Sequence, residues 1–236
     1  MKVHILIAVL WFLCMKSNVR KMLSKGASVI LMMFAPFAHS QTEVASELKS
    51  SDDRQIVESS LRSMPKGYRL GPTDAVAVVL VSQQRMIVKV LDKILSYPVS
   101  TAQAGVGAEA RSGKTPPGWH RVKKRIGSNV QTGQLFISRR VIKGVVRNEK
   151  ERHNGSGDEV LSRIFWLEGL EPKLNRDPKG NYDSYLRHIY IHGTNQEALL
   201  GTPVSHGCIR MGNQNIVNLF DQVKPCRNFY VLISCQ

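Results

Sequence analysis

The run His188-Ile-Tyr-Ile-His-Gly-Thr194, together with Ser205-His-Gly-Cys-Ile-Arg-Met-Gly212 further along, holds the densest chemistry in the sequence. Ile189–Ile191 has the composition of a short strand that ends at His192. A thiol attacks only as its thiolate, and a neighbouring imidazole that takes the proton makes the thiolate available near neutral pH. Two histidines close in sequence to Cys208 therefore predict a nucleophilic cysteine.

Two other interpretations of this stretch remain open from the residues alone. Cys208 could be a buried structural thiol, since free cysteine is among the most buried residue types. A zinc site is the second interpretation, because His188, His192, His206 and Cys208 make up a four-ligand set. The absence of a Cys-x-x-Cys pair weakens the zinc interpretation.

The surroundings of the cysteine favour the nucleophile. Gly193, Gly201, Gly207 and Gly212 indicate a backbone that bends tightly around it. Residues 213–223 place apolar side chains at helical spacing, which predicts a short helix. A cysteine near a helix N-terminus gains from the helix dipole, because the dipole favours an anion there.

The combined pattern of residues 192–194 and 205–211 resembles the signature of the L,D-transpeptidases, the YkuD-type catalytic domain. The resemblance runs from about Ala75 to Ile233, since a Pro-Val-Ser element and a Thr-Pro-x-Gly turn follow a strand pair in the family's order. It implies a mainly β fold: a β-sandwich-like catalytic domain with one or two short helices and a long lid or loop insertion. The cysteine would lie in a groove.

The same resemblance implies roles for individual residues. Cys208 would be the nucleophile and His192 the base that accepts its proton, with the imidazole oriented by a backbone carbonyl near Gly193. Backbone N–H groups around the cysteine would hold the oxyanion. The residues that would shape this part of the site are Gly193, Ser205, His206 and Gly207. Arg210 is expected to bind a substrate carboxylate bidentately, and Tyr190 faces either the site or the core.

The implied reaction is peptidoglycan transpeptidation. The thiolate would form a thioester with the tetrapeptide stem, release D-Ala and pass the acyl group to an amine, giving a 3→3 cross-link. Water as acceptor would instead make the protein an L,D-carboxypeptidase. The implied partners are peptidoglycan stem peptides, with carbapenem-type β-lactams as covalent inhibitors, and no cofactor, metal or dedicated protein partner is expected. The alternatives are another cysteine hydrolase of cell-wall peptides and a non-catalytic wall-binding module.

The chain is strongly basic, with a formal net charge of +15 over 236 residues. A basic surface favours anionic partners such as cell-wall polymers or membrane headgroups, although a solvated cationic face would give the same composition. Nucleic acid is not expected, because no recognised binding motif is present and aromatic residues make up only 7% of the chain.

Residues 1–40 are predicted to be a leader rather than part of the fold. A basic patch and an apolar run end in Ala38-His39-Ser40, a small-x-small pattern that indicates a cleavable signal sequence beginning at Met22. An uncleaved anchor is the alternative, and either case predicts export to the periplasm or cell wall. We expect residues 41–72 to form a polar helical or disordered linker and residues 73–236 to form the catalytic domain.

The order of strands and loops follows from apolar runs and turn residues. The predicted strands are Ala75–Ser82, Arg85–Leu91, Lys93–Thr101, Trp119–Ile126, Gln134–Ile142, Val160–Leu170 and residues 227–234. Two stretches, Asn148–Gly157 and Pro172–Asp183, are predicted loops, and residues 143–187 are predicted to contribute a lid or wall over Cys208. An inert insertion is the alternative. An extended strand between Cys226 and Cys235 would hold them too far apart for a disulfide.

Overall fold

A computed structural model describes residues 50–235 of the chain. The predicted leader and the first part of the predicted linker lie outside the described residues. Within residues 50–235, no helix combines the length and apolar character that crossing a membrane requires.

Ten strands of the described chain form one sheet, in the spatial order β4-β10-β1-β2-β3-β9-β8-β7-β5-β6. Strand β7 also pairs with β4, so the sheet closes on itself and β5 and β6 extend beyond the closure. The mainly β class is therefore confirmed, and the two faces of the expected sandwich belong to one closed sheet. The strands are β1 Ala75–Leu80, β2 Arg85–Val90, β3 Lys93–Ser100, β4 Gly118–Ile126, β5 Gln134–Ile137, β6 Arg140–Val146, β7 Val160–Gly169, β8 Tyr190–Gly193, β9 Ile209–Met211 and β10 Phe229–Ser234.

The described chain also contains α-helices at residues 50–61 (α1), Glu149–Asn154 (α2) and Asn213–Gln222 (α3). The predicted late helix is confirmed as α3, whose buried side chains Ile216, Leu219 and Phe220 recur at helical spacing and join the main core. Helix α1 is held against the sheet by the fully buried Val57 and by an ion pair from Asp53 to Arg85 at 2.6 Å. This part of the predicted linker is thus helical and packed, while the boundary at residues 72/73 stays a prediction.

Successive side chains of β8 and β9 alternate between the main core and the candidate site. Ile191, Ile209 and Met211 lie in the main core cluster. Tyr190 belongs instead to a smaller aromatic cluster with Phe136, Ile164 and Trp166, and Cys208 packs against that cluster. Because successive side chains on a strand point to opposite faces, the site residues of β8 and β9 lie on the face away from the main core.

The prediction of a single strand over Gln134–Ile142 is wrong. The chain forms β5 and β6, which pair as an antiparallel hairpin with Ile137 opposite Arg140. The two residues between them, Ser138 and Arg139, have φ values of 48° and 68°. Asn-Gly and similar pairs are the usual signal for such a left-handed turn, so a Ser-Arg turn inside an apolar run is easily read as continuous strand.

The prediction of a loop over Asn148–Gly157 is also wrong in part, because this stretch contains α2. The Asn148 side chain caps the helix by accepting a hydrogen bond from the backbone N–H of Glu151. In return, the Glu151 side chain accepts a hydrogen bond from the backbone N–H of Asn148. This reciprocal arrangement is a capping box, with Asn in place of the usual Ser or Thr. The range predicted to form a lid or wall, residues 143–187, is also too wide, because it includes β7, which is a buried strand of the sheet.

The predicted strand between Cys226 and Cys235 is confirmed as β10. The two cysteines lie beyond its opposite ends, Cys226 buried and Cys235 exposed, and both are free thiols.

Candidate active site

Two parallel neighbouring strands bring the predicted catalytic residues to one end of the sheet. His192 on β8 pairs in register with Arg210 on β9, and Cys208 immediately precedes β9. The Cys208 Sγ accepts a hydrogen bond from the backbone N–H of Tyr190 at 3.4 Å and lies 3.5 Å from the carbonyl oxygen of His188. The sulfur is thus held against β8 on the face that also carries Tyr190 and His192.

The turn before β9 presents the cysteine. Ser205 Oγ donates to the Cys208 carbonyl oxygen at 2.6 Å and accepts from the Gly207 N–H at 3.2 Å. Gly207 has φ +127°, and its carbonyl oxygen accepts from Thr115 Oγ1 at 3.1 Å. Only glycine adopts this conformation readily. Since the Gly207 N–H is already bonded to Ser205 here, its role in holding an oxyanion stays a prediction.

The geometry around His192 fixes which ring nitrogen can act as a base. Its Nδ1 lies 2.7 Å from the Gly193 carbonyl oxygen. A carbonyl oxygen only accepts, so Nδ1 carries the hydrogen and Nε2 of the neutral ring keeps its lone pair. Burial lowers the pKa of His192, although the Asp158 carboxylate and the Gly193 carbonyl act in the opposite direction. The imidazole is therefore neutral near pH 7, and the predicted contact with a backbone carbonyl is present.

The tight packing of the backbone explains the glycine that follows this histidine. A Cβ atom added at Gly193 would lie 2.7 Å from the carbonyl oxygen of Leu161 on β7. Such a separation is too short for real side chains, so any larger residue would push β8 away from β7. Gly193 thus keeps its carbonyl within reach of the His192 ring.

Burial favours the neutral thiol form of Cys208. Burial raises its pKa to about 12, and the Asp158 carboxylate adds to this effect. The backbone N–H of Tyr190 and the positive charges of Arg210 and Arg187 act in the opposite direction. A thiol with this pKa yields very little thiolate at neutral pH, so attack would require a base to remove the proton.

Asp158 is a site residue that the sequence analysis missed. Its Oδ2 lies 2.7 Å from Arg210 Nη2 and 3.0 Å from His206 Nδ1. Burial acts to raise the pKa of Asp158, but hydrogen bonds from Arg210 and His206 and the nearby His192 ring hold it below its usual range. It comes from the predicted wall, residues 143–187, which therefore does contribute to the site. No motif spacing singled it out.

Arg210 has different surroundings from those predicted. The Arg210 side chain is 2% exposed, and it donates to Asp158 and, at 2.8 Å, to Gln196 Oε1. The guanidinium is thus buried and already paired with a carboxylate, which corrects the expectation of a cation open to substrate. His206, by contrast, is exposed at the rim of the site.

Tyr190 faces the side of the sheet that carries the site. Its side chain is buried in the aromatic cluster, where its ring meets Trp166 edge-on at a centroid distance of 5.6 Å. Its hydroxyl oxygen accepts a hydrogen bond from Arg139 Nη1 at 3.1 Å. Because Cys208 packs against this cluster, Tyr190 borders the site and belongs to the smaller aromatic cluster, not to the main core.

The predicted contribution of a helix dipole to Cys208 is wrong. Strand β9 separates the cysteine from α3, which begins only at Asn213. The backbone N–H of Asn213 donates to the carboxylate of Glu197, so an acidic side chain already occupies the helix N-terminus. The dipole falls off within the first turn, so it does not account for thiolate formation at Cys208.

A glycine-rich loop, residues 105–118, borders the site and is held by an arginine that the sequence analysis also missed. Arg187 donates to the carbonyl oxygens of Ala108 at 2.8 Å and Lys114 at 2.7 Å. Its charge also acts on the Cys208 thiol.

The zinc interpretation finds no support in the described part of the chain. Residues 50–235 contain no group of three or more histidine, cysteine or acidic side chains placed to hold a metal.

Comparison with known proteins gives short but specific sequence matches. A 58-residue stretch is 46% identical to the "Probable L,D-transpeptidase YbiS" of Escherichia coli, covering 24% of this chain and 19% of that protein. A 66-residue stretch is 48% identical to the "Probable L,D-transpeptidase ErfK/SrfK" of the same species, covering 28% and 21%. The matches thus span about a fifth of the length of these relatives.

Solved structures of similar proteins cover more of the chain at lower identity. L,D-transpeptidase 3 from Mycobacterium tuberculosis, in complex with a faropenem-derived adduct, aligns with 70% of this chain and 61% of its own at 15% identity and a TM-score of 0.40. The family model of the L,D-transpeptidase catalytic domain (YkuD) matches residues 74–231, more than half of the chain. The chain therefore belongs to the L,D-transpeptidase catalytic-domain family.

Proposed function

We propose that the protein is a peptidoglycan L,D-transpeptidase in which Cys208 is the nucleophile and His192 the general base. The observation that carries this proposal is the arrangement of β8 and β9. Cys208 directly precedes β9, His192 lies on the neighbouring strand β8 in register with Arg210, and His192 Nδ1 is hydrogen-bonded to the Gly193 carbonyl oxygen, which leaves Nε2 free to act as a base. Membership of the L,D-transpeptidase family supplies the substrate class.

In the first half-reaction, His192 Nε2 takes the proton of Cys208 as the sulfur attacks the carbonyl carbon of the third residue of a tetrapeptide stem. A C–S bond forms, the C–N bond to D-Ala breaks, and the imidazolium returns the proton to the departing amine. Burial raises the pKa of the Cys208 thiol, so the attack needs a base such as His192 to take the proton.

In the second half-reaction, an amine from another stem attacks the thioester and His192 takes its proton. The new amide is the 3→3 cross-link, and the proton returns to the Cys208 sulfur. If water is the acceptor, the same thioester gives a shortened stem, and the protein is an L,D-carboxypeptidase. Both outcomes use the same acyl-enzyme, so the products distinguish them.

The environment of the sulfur also supports covalent inhibition. Carbapenems carry a strained amide carbonyl that the same sulfur would attack, giving a thioester that persists. The structure of L,D-transpeptidase 3 from M. tuberculosis contains an adduct derived from faropenem, which is also a β-lactam. We accordingly propose that carbapenems acylate Cys208.

The direct test is to incubate residues 41–236 with a purified disaccharide-tetrapeptide and to follow the products by mass spectrometry. We expect release of D-Ala and appearance of a cross-linked dimer. Replacing Cys208 by Ala should abolish both products, and His192→Gln should reduce them by at least about 100-fold. Cys235→Ala is the matched control, because Cys235 is an exposed free thiol outside the site.

Two outcomes would contradict the proposal. Loss of D-Ala that persists in Cys208→Ala would exclude this cysteine as nucleophile. A wild-type protein that binds peptidoglycan but releases no D-Ala, with a thiol no more reactive than a model peptide, would indicate a wall-binding module.

We further propose that the protein is exported through the leader in residues 1–40, since its substrate lies outside the cytoplasm. N-terminal sequencing of the exported protein should give a start near Gln41. A start at any distant position would contradict a signal sequence that ends at Ser40.

A further inference from the structure

Arg139 occupies an unusual place in the fold. It lies in the two-residue turn between β5 and β6, where it and Ser138 both have positive φ. This left-handed conformation is unfavourable for a residue with a Cβ atom, and glycine or asparagine would adopt it more easily. Backbone strain of this kind occurs most often at functional sites.

The turn directs the Arg139 side chain onto the aromatic cluster beside the cysteine. Its guanidinium carbon lies 4.7 Å from the centre of the Trp166 ring, and Nη1 donates to the Tyr190 hydroxyl at 3.1 Å. The backbone N–H of Tyr190 in turn donates to Cys208 Sγ. Tyr190 therefore contacts the guanidinium through its hydroxyl group and the sulfur through its backbone N–H.

The charge of Arg139 is unpaired, which sets it apart from the other arginines around the site. Within residues 50–235, no carboxylate forms an ion pair with it. Arg210 is bound to Asp158, and the donors of Arg187 are directed at backbone carbonyls. Of these three arginines, Arg139 is the one whose guanidinium is bound by no carboxylate or backbone carbonyl of residues 50–235.

We propose that Arg139 binds the terminal carboxylate of the acyl donor and thereby selects donors that end at the leaving residue. This inference rests on the proposed function. The D-Ala that leaves carries that carboxylate two bonds beyond the scissile nitrogen, and in this proposal the carboxylate lies against the aromatic cluster on which Cys208 packs. A guanidinium binds a carboxylate through two parallel hydrogen bonds, and Trp166 and Tyr190 hold it in place.

The test compares a tetrapeptide donor with the same donor ending in D-alaninamide. For the wild-type protein we expect kcat/KM to be about 10- to 100-fold higher for the carboxylate, as is typical of a hydrogen-bonded charge. Arg139→Gln should lower kcat/KM for the carboxylate donor to the value for the amide donor, mainly by raising KM. It should leave kcat/KM for the amide donor unchanged. Arg139→Lys should keep part of the preference.

Arg140→Gln is the matched control, because Arg140 is the exposed neighbour in the same hairpin. It should retain the wild-type preference. Equal losses on both donors in Arg139→Gln would overturn the inference and leave the proposed function standing, as would a wild-type protein that does not distinguish the donors. If Arg139→Gln does not fold, absence of any preference in Arg139→Lys would overturn it. A wild-type protein inactive on both donors would overturn the proposed function itself.

Discussion

His120 should make the protein markedly less stable in mild acid. Its ring lies fully buried on β4, with Nδ1 2.9 Å from the Gly118 carbonyl oxygen and Nε2 2.9 Å from Ser184 Oγ. Burial lowers its pKa from 6.5 to about 4, with the positive charge of Arg187 adding to the effect and Asp183 opposing it.

The sign and size of the effect follow from proton linkage. Below pH 6.5 the unfolded chain binds a proton at this histidine, whereas the folded protein binds it only near pH 4. The contribution of the neutral His120 ring to the free energy of unfolding is therefore fully present above pH 6.5, and it is lost as pH falls toward 4. At 1.36 kcal/mol per pKa unit, the loss in the free energy of unfolding between pH 7.5 and 4 is about 3 kcal/mol.

The measurement is urea unfolding at several pH values for the wild type and for His120→Gln. The variant should be less stable at pH 7.5, because it loses buried hydrogen bonds and packing. The difference between the two proteins should then shrink by about 3 kcal/mol by pH 4. Groups such as His192 and Asp158 titrate in both proteins and cancel in the comparison. His153→Gln, on the exposed helix α2, is the matched control. Parallel pH curves for wild type and His120→Gln would refute the reasoning.

Three further changes test the site. Asp158→Asn removes the charge that pairs with the buried Arg210, so we expect a loss of about 1–3 kcal/mol in urea unfolding; an unchanged midpoint would contradict this. Gly207→Ala strains a backbone at φ +127° and should slow acylation of Cys208 at least about 10-fold, with a stability loss of about 1–3 kcal/mol; wild-type acylation would count against it. The lowered pKa of His192 predicts that the acid limb of the kcat/KM profile lies below pH 6.5, and a limb above that value would be inconsistent with a buried neutral base.

Local sequence patterns were sufficient for much of the fold. Alternating or continuous β-branched runs gave β1, β2, β3 and β7, and helical spacing gave α3. These elements are set by which face each side chain buries, and that information is local. The closure of the sheet through β4 and β7 pairs distant segments, so it could not be deduced from the runs themselves.

The parts of the site that the sequence did not reveal depend on contacts between distant residues. The pattern around Cys208 identified His192 and the Gly193 carbonyl, because those residues are close along the chain. Asp158 lies some fifty residues from its partner Arg210, and the positive charge of Arg210 alone suggested a substrate contact instead. Its burial and pairing emerge only when β9 is placed beside β8.

The intact mass of the protein after incubation with a carbapenem tests the role of Cys208 most directly. The account predicts that residues 41–236 gain the mass of one carbapenem, that Cys235→Ala gains the same mass, and that Cys208→Ala gains none. An adduct that persists in Cys208→Ala, or a wild-type protein that stays unmodified while a thiol reagent labels Cys208, would contradict it.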